Sequence, residues 1–310
     1  MPTLPDIQAA AARLAPHLRR TPVLTLAGPE LGLPGAVTLK LEFLQHTGSF
    51  KARGAFNRLL TAGPLEAGVA AASGGNHGAA VAYAARALGA KATIFVPAPT
   101  PQAKLDRIAS YGADLVQSGA NYAEAFEASH RWARARGALE VHAYDDEAVL
   151  AGQGTIGLEL QQDAPALTHV LVAVGGGGLV GGIAAAHEGR PVQLLGVEPE
   201  RSACLNAALE AGHPTPIEVG GVAADSLGAR QVGQLSFDIA RRTGLQSLLV
   251  PDSAITQAQS WLWDRLRIVA EPGGAAALAP ILSGTYTPPE GSRLAIILCG
   301  ANVSRETPKP

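Results

Sequence analysis

Residues 168–198 read THVLVAVGGGGLVGGIAAAHEGRPVQLLGVE, in which two apolar runs flank four consecutive glycines and a segment of small residues. Short apolar runs bounded by turn signals predict buried strands, and the segment after the glycines has the composition of a helix. A strand that leads through a helix to a second, parallel strand is a βαβ unit. This stretch therefore indicates a parallel sheet with a glycine loop after one of its strands.

The same alternation continues on both sides of this stretch. We predict strands over 37–43, 68–73, 91–97, 113–118, 168–174, 192–198, 245–250 and 293–299, and helices over 49–60, 76–88, 102–111, 121–136 and 252–268, with further helices after Gly152 and after the four glycines. Strands that alternate with helices are typical of an α/β fold with mainly parallel sheets. Ligands of such folds bind beyond the carboxyl ends of strands, so the loops that join strand to helix are candidate sites.

The composition excludes several classes of protein. The chain has 310 residues, 47% of them hydrophobic, which is enough for two lobes or one large domain. Its net charge of −2 means that the chain has no excess of basic residues to bind the phosphates of a nucleic acid. We therefore expect no nucleic acid partner. Residues 170–186 carry no charge, but six of them are glycines and a membrane-spanning helix needs about 20 mostly apolar residues. We therefore expect no membrane segment.

Cysteine use and the N-terminal sequence predict a cytoplasmic protein. The two cysteines, Cys204 and Cys299, cannot form a disulfide framework, and the chain has no CxxC pair to bind zinc. The first ten residues, MPTLPDIQAA, lack both the charged and the apolar region of a secretion signal.

Three loops lie where a parallel sheet places its chemistry: 46–51, 73–78 and 175–178. Glycines let the backbone approach a phosphate closely, and the following helix presents free N–H groups. The four glycines of the third loop therefore indicate an anion cradle. They also fit a second interpretation, because Gly176, Gly178 and Gly181 form GxGxxG and Glu198 follows 22 residues after Gly176. That spacing is typical of a Rossmann domain that binds NAD, and this alternative stays open.

Lysine use gives a separate indication. Only five of the 24 Lys and Arg residues are lysines, and one of them, Lys51, lies at a predicted strand–helix junction. An amine can act as a nucleophile and form a Schiff base, whereas a guanidinium cannot. Lys51 is therefore the candidate nucleophile.

Four motifs now make a more specific comparison possible: TGSFKARGA (47–55), SGGNHG (73–78), GGGG (175–178) and LCGANVS (298–304). In this order they resemble the fold-type II pyridoxal-phosphate enzymes, which include serine/threonine dehydratases and serine racemase. The resemblance covers about residues 21–304 and implies the tryptophan synthase β-like α/β fold, with two open twisted parallel-sheet lobes. It also implies a large cofactor-binding domain over 1–67 and 145–310, a small domain over 68–144, and a homodimer.

The resemblance also implies the roles of individual residues. Lys51 would hold pyridoxal 5'-phosphate as a Schiff base and act as the catalytic base, and Phe50 would stack on the pyridine ring. Asn76 would donate to the phenolic oxygen of the cofactor, and Cys299 would lie beside the pyridine nitrogen. The phosphate would be bound by Gly175, Gly176, Gly177 and Gly178. The loop that binds the substrate carboxylate would comprise Ser73, Gly74, Asn76 and His77.

Within this family the sequence favours dehydration. Serine racemase has a second serine, acting as an acid/base, where this chain has Gly74, and residues 200–212 (ERSACLNAALEAG) resemble threonine dehydratases. The resemblance thus implies a lyase that converts L-threonine or L-serine to a 2-oxo acid and ammonia. An amino-acid racemase, a hydroxyaspartate dehydratase and a non-catalytic pyridoxal-phosphate binder are the remaining alternatives.

Two further expectations concern departures from the family. Some relatives bind a divalent cation near the position of Glu198, with an aspartate six residues later. Because Cys204 stands at that second position, we expect no metal there. We also expect no regulatory domain after the last core strand.

Overall fold

Among the residues that the structure describes, the strands form two sheets, and the larger of these has six strands. The structure is a computed structural model that describes residues 1–303. In chain order, the strands of this sheet are β1 (Val23–Leu26), β2 (Val37–Lys40), β7 (His169–Ala173), β8 (Gln193–Pro199), β9 (Gln246–Val250) and β10 (Leu294–Ile297). Their spatial order is β1-β2-β10-β7-β8-β9, and among these pairs only β1 and β2 run antiparallel.

The smaller sheet has four strands, all parallel. They are β3 (Val69–Ala72), β4 (Ala92–Val96), β5 (Asp114–Gln117) and β6 (Leu139–Glu140), in the spatial order β5-β4-β3-β6. The predicted α/β fold with two parallel-sheet lobes is thus confirmed. The division into domains at residues 68 and 144 stays a prediction.

Helices cover the sheets and join their strands. Within residues 1–303 the α-helices are α1 (Leu4–Leu14), α2 (Lys51–Thr61), α3 (Asn76–Ala87), α4 (Gln102–Ala109), α5 (Tyr122–Arg136), α6 (Glu147–Asp163), α7 (Gly178–His187), α8 (Cys204–Ala211), α9 (Ala224–Leu227), α10 (Gln234–Thr243), α11 (Asp252–Leu266), α12 (Pro272–Ala275) and α13 (Ala279–Ser283). Short 3-10 turns occupy Gly28–Leu31, Glu42–Leu44, His46–Gly48 and Ala276–Leu278. No helix in this part of the chain is long and apolar enough to cross a membrane.

Helix α6 begins earlier than the sequence indicates. It starts at Glu147, so Gly152 and Gly154 lie inside the helix and not before it. A Cβ on Gly152 would lie 2.6 Å from the carbonyl oxygen of Arg53 in α2, and one on Gly154 would lie 2.8 Å from that of Gly182 in α7. The glycines therefore mark the close approach of three helices, and not a turn.

A buried ionic cluster fixes α2 against the large sheet. The Arg53 guanidinium contacts Glu42 Oε1 at 2.8 Å and Glu159 Oε1 at 2.7 Å. Lys40 of β2 also reaches Glu159, at 2.5 Å. Buried charges are stable only when they are paired and hydrogen-bonded, and this cluster meets that condition. Because Arg53 is two residues from Lys51, the cluster fixes the helical turn that carries the candidate nucleophile.

Candidate active site

Lys51 is the first residue of α2 and lies where the last strand of the large sheet ends. The N–H of Phe50 donates to the carbonyl of Cys299 over 3.1 Å, and Ser49 forms an isolated antiparallel bridge with Gly300. These contacts join the loop before α2 to the segment after β10. The motifs TGSFKARGA (47–55) and LCGANVS (298–304) are therefore neighbours in space although they lie far apart in the chain. Ser304, the last residue of LCGANVS, is outside the described residues.

The amine of Lys51 is enclosed although part of the side chain remains accessible. Its Nζ donates to the carbonyl oxygen of Ala143 over 2.7 Å and lies 5.2 Å from the centroid of the Phe50 ring. Burial lowers the pKa of Lys51 to about 8, and the nearby Glu271 carboxylate offsets part of this effect. At pH 7 about one amine in ten is then neutral, far more than for an ordinary lysine.

Cys299 and Glu271 border the same space. The Cys299 thiol is buried and donates to the carbonyl of Gly273 over 3.3 Å. Burial, reinforced by the Glu271 carboxylate, raises the pKa of Cys299, so the thiol is neutral at physiological pH. Burial also raises the pKa of Glu271 to about 7. A Cβ on Gly300 would lie 2.0 Å from Glu271 Oε1, so a larger residue at this position would displace the carboxylate.

Asn76 connects Glu271 to the loop at the start of α3. Its Nδ2 donates to Glu271 Oε1 over 2.6 Å, and its Oδ1 accepts from Asn302 Nδ2 over 2.6 Å. The next residue, His77, is buried with Nε2 2.9 Å from the carbonyl of Val141. Burial, together with the charge of Lys51, lowers the pKa of His77 to about 3, so the ring is neutral.

Ser73 and Gly74 precede these residues on the same loop, between β3 and α3. The Ser73 hydroxyl accepts from the N–H of Gly75 over 3.1 Å, which stabilises the turn. A Cβ on Gly74 would lie 2.8 Å from Cγ2 of Thr100. The loop ends at the N-terminus of α3, where unpaired N–H groups can bind an anion.

The four glycines form the turn between β7 and α7. Gly177 has a φ of +92°, which favours glycine, and caps the N-terminus of α7. A Cβ on Gly176 would lie 2.3 Å from Cδ1 of Tyr144, so the tyrosine ring lies directly against the loop. On the other side, the thiol of Cys204 donates to the carbonyl of Gly175 over 3.1 Å. The backbone N–H groups of this loop and the helix terminus suit a phosphate.

Two residues join the lysine to the glycine loop. Ala143 accepts the hydrogen bond from Lys51, and its neighbour Tyr144 covers Gly176. The sequence analysis missed Tyr144, because a single aromatic residue after a short strand has no distinguishing pattern. It also missed Ser236, whose buried hydroxyl lies beside Gly177 and Gly181 and has no hydrogen-bond partner among residues 1–303.

Glu198 is not available to a ribose. Its carboxylate is fully buried and accepts from the N–H groups of Leu205 and Asn206, each over 2.8 Å, and from the Ser247 hydroxyl over 2.6 Å. It thus caps the N-terminus of α8, and the NAD alternative loses the acidic residue that it requires. Within residues 1–303, no group of three or more His, Cys, Asp or Glu side chains is placed to bind a metal ion.

These residues fit pyridoxal phosphate. An enclosed amine of lowered pKa suits the aldehyde, and a glycine loop at a helix N-terminus suits the phosphate. The unpartnered hydroxyl of Ser236 beside that loop is consistent with an anion nearby. A neutral thiol at Cys299 can lie beside an unprotonated ring nitrogen.

Comparisons with known proteins agree with this fit. Residues 14–300 match the family described as "Pyridoxal-phosphate dependent enzyme". The L-threonine ammonia-lyase of Geobacter sulfurreducens is 38% identical over 308 residues, covering 97% of this chain and 76% of that protein. The L-threonine ammonia-lyase of Thermotoga maritima is 35% identical over 307 residues, covering 98% of this chain and 76% of that protein.

Solved structures are similar over nearly the whole chain. Maize serine racemase superposes with a TM-score of 0.93 at 31% identity, over 98% of this chain and 95% of that one. The threonine deaminase of T.th. superposes with a TM-score of 0.89 at 37% identity, over 98% of this chain and 99% of that one.

Proposed function

The chain belongs to the family of pyridoxal-phosphate dependent enzymes, and on that premise we propose that it is a lyase acting on L-threonine or L-serine. Elimination removes the β-hydroxyl group as water, and hydrolysis of the released unsaturated amine then takes up one water and gives a 2-oxo acid and ammonia. The observation that carries this proposal is the enclosed amine of Lys51, whose pKa is lowered to about 8 beside the neutral thiol of Cys299. The names of the two bacterial relatives support the same reaction.

When bound, pyridoxal phosphate supplies the electron sink that makes the Cα proton of an attached amino acid acidic. Lys51 would hold the cofactor through Nζ, and the same amine, once displaced by the substrate, would accept the Cα proton. The backbone N–H groups of Gly175, Gly176, Gly177 and Gly178 would bind the phosphate, and Phe50 would cover one face of the ring. Asn76 Nδ2 would donate to the phenolic oxygen.

The Cys299 thiol favours elimination over reactions that depend on a protonated ring nitrogen of the cofactor. A neutral thiol carries no negative charge that would keep a proton on the ring nitrogen, which makes the ring a weaker electron sink. Loss of the β-hydroxyl group tolerates this, because the leaving group carries the electrons away. The substrate carboxylate would bind at Ser73, Gly74, Asn76 and His77, at the N-terminus of α3.

Elimination also fits Gly74 better than racemisation does. A racemase needs an acid/base on each face of the cofactor, and Gly74 offers no side chain at the position where serine racemase has its second serine. The space next to Gly74 is filled by Thr100, since a Cβ there would lie 2.8 Å from Cγ2. We therefore propose dehydration although serine racemases superpose well on this chain.

The test is the release of 2-oxo acid and ammonia by the purified protein with pyridoxal phosphate. The substrates are L- and D-threonine, L- and D-serine, and 3-hydroxyaspartate. We expect equimolar products from L-threonine or L-serine and none with Lys51→Ala. Products from 3-hydroxyaspartate alone would reassign the substrate. A bound cofactor without release of 2-oxo acid would refute dehydration of these substrates, and a racemisation assay would then separate a racemase from a non-catalytic binder. The homodimer and the cytoplasmic location stay predictions, and light scattering after gel filtration tests the former.

A further inference from the structure

Arg107 approaches the candidate active site from the small-sheet side. It lies on α4, is half-buried, and directs its Nη2 toward Asn76 Oδ1 at 3.4 Å. Its Nε is buried and has no hydrogen-bond partner among residues 1–303. The Nη2 group and the charge of Arg107 therefore face the cluster around Asn76 and Glu271. None of the roles assigned above uses this residue.

The cluster that Arg107 faces is centred on the Asn76 amide. Asn302 Nδ2 donates both to Asn76 Oδ1, over 2.6 Å, and to the carbonyl of Thr47, over 2.8 Å. Asn76 Nδ2 donates to Glu271 Oε1 over 2.6 Å. The amide oxygen therefore faces two donors, Asn302 and Arg107. A flipped amide would place its NH₂ group against both of them, which is unfavourable.

Charge gives Arg107 a second role in this cluster. Glu271 is 6% exposed and lies close to Lys51, Cys299 and Asn76. Arg107 is close enough to Glu271 for each to stabilise the charged form of the other. A buried carboxylate that loses its cationic neighbour is costly, so the cluster depends on Arg107 for charge balance as well as for a donor.

A second side chain of α4 also contacts the large-sheet side of the chain. Lys104, one turn before Arg107, forms an ion pair with Asp225 of α9, which belongs to the large-sheet side of the chain. Asp225 also lies near Arg107 and Glu271. The helix that carries Arg107 is thus also in contact with the large-sheet side of the chain.

We propose that Arg107 is a positioning residue for Asn76: it holds the amide with Nδ2 directed toward the phenolic oxygen of the cofactor. This inference rests on the assignment of Asn76 to that oxygen in the proposed function. Arg107 does not touch the cofactor or the substrate in this proposal; it acts through Asn76 and through the balance of charge around Glu271.

The test compares the bound-cofactor spectrum of three variants with that of the wild type. Pyridoxal phosphate joined to a lysine has two absorption bands, and their ratio responds to hydrogen bonding at the phenolic oxygen. We expect Arg107→Ala to change this ratio and to weaken the affinity for pyridoxal phosphate by about tenfold. Arg107→Lys, which keeps the charge, should restore most of the affinity. Arg107→Gln, which keeps a donor without the charge, should lie between them.

Arg86→Ala is the matched control. Arg86 of α3 donates to the carbonyl of Ser110 at the end of α4, over 3.1 Å, and lies over the ring of Tyr111, but it makes no contact with Asn76 among the described hydrogen bonds. Its replacement should leave both the ratio of the two absorption bands and the affinity for pyridoxal phosphate unchanged. An Arg107→Ala protein that melts earlier yet keeps the wild-type spectrum and affinity would overturn the proposal. If Arg107→Ala does not fold, a wild-type spectrum and a wild-type affinity for pyridoxal phosphate in Arg107→Gln would overturn the proposal.

These readouts separate this inference from the proposed function. A wild-type protein that binds pyridoxal phosphate but does not convert threonine or serine refutes the substrate assignment, while the spectra still test Arg107. A spectrum that changes with Asn76→Ala but not with Arg107→Gln and Arg107→Ala refutes the positioning role alone.

Discussion

The amine of Lys51 donates a hydrogen bond of 2.7 Å to the carbonyl of Ala143. Ala143 lies in the segment that leads from β6 of the small sheet to α6 beside the large sheet. The residue that follows it, Tyr144, lies against Gly176. Lys51 and the glycine loop therefore contact two consecutive residues, Ala143 and Tyr144. The backbone of these two residues sets the distance between the lysine and the loop.

Replacement of Lys51 by alanine is expected to abolish turnover and cofactor attachment. The change removes the nucleophile and proton acceptor, so we expect a fall in kcat of at least ~10³-fold. It also removes an enclosed amine, so the melting temperature of the apoprotein should change little. Activity assays and denaturation curves check both expectations. Retained turnover in Lys51→Ala would contradict the role of this lysine.

The rate of cofactor capture by the apoprotein is expected to depend on pH with a midpoint of about 8, the pKa of Lys51. Only the neutral amine attacks the aldehyde, so the rate should be half-maximal near pH 8 and should level off above about pH 9. An ordinary lysine would give a midpoint above about 10. Stopped-flow absorbance after mixing with pyridoxal phosphate measures this profile. A rate that keeps rising to pH ~10 would show that the amine is not desolvated.

Gly177→Ala is expected to weaken cofactor binding by at least about tenfold. Its φ of +92° strains any residue with a Cβ, and that Cβ would lie 2.6 Å from the Cβ of Ser236. Gly189 is the matched control, because its φ is +77° but no heavy atom lies within 4 Å of the added Cβ. Gly189→Ala should lose about 1–2 kcal/mol of unfolding free energy from its positive φ alone, and Gly177→Ala should lose more because of the added contact with Ser236. Equal cofactor affinities in the two variants would exclude the glycine loop as the phosphate site.

Arg53→Met is expected to lower the unfolding free energy by about 3–5 kcal/mol, because it leaves the carboxylates of Glu42 and Glu159 buried without their shared partner. The control is Arg20→Met, which removes the exposed ion pair with Asp163 and should cost about 1 kcal/mol or less. Urea denaturation measures both values. Similar losses in the two variants would mean that the buried cluster does not stabilise α2.

The alternation of apolar runs was sufficient to predict most of the fold. The glycine loop and Lys51 were also placed correctly at strand–helix junctions. Helix α10, Gln234–Thr243, was missed, since no strand signal precedes it in the sequence. Its position depends on tertiary contacts: Asp145 accepts from the N–H of Gln234 over 3.1 Å and from that of Leu235 over 3.0 Å.

The active-site cluster shows where sequence patterns are insufficient. Asn76 contacts Glu271 and Asn302, which lie 195 and 226 residues further along the chain. Hydrophobic period and turn chemistry report on neighbours along the chain, so they give no information on such contacts. Glu198 shows that a sequence pattern can also predict a contact that the folded chain does not make. Its spacing after Gly176 fits a dinucleotide motif, but its carboxylate caps the N-terminus of α8.

The position of β10 has a consequence for the order in which the protein can be made. β10 lies between β2 and β7, yet it is the last strand of the large sheet to be synthesised. Until it leaves the ribosome, β2 and β7 each have an unpaired edge, and such edges are prone to intermolecular pairing. The large sheet therefore cannot close before Leu294–Ile297 has left the ribosome, and nascent chains truncated before Leu294 should aggregate or recruit chaperones.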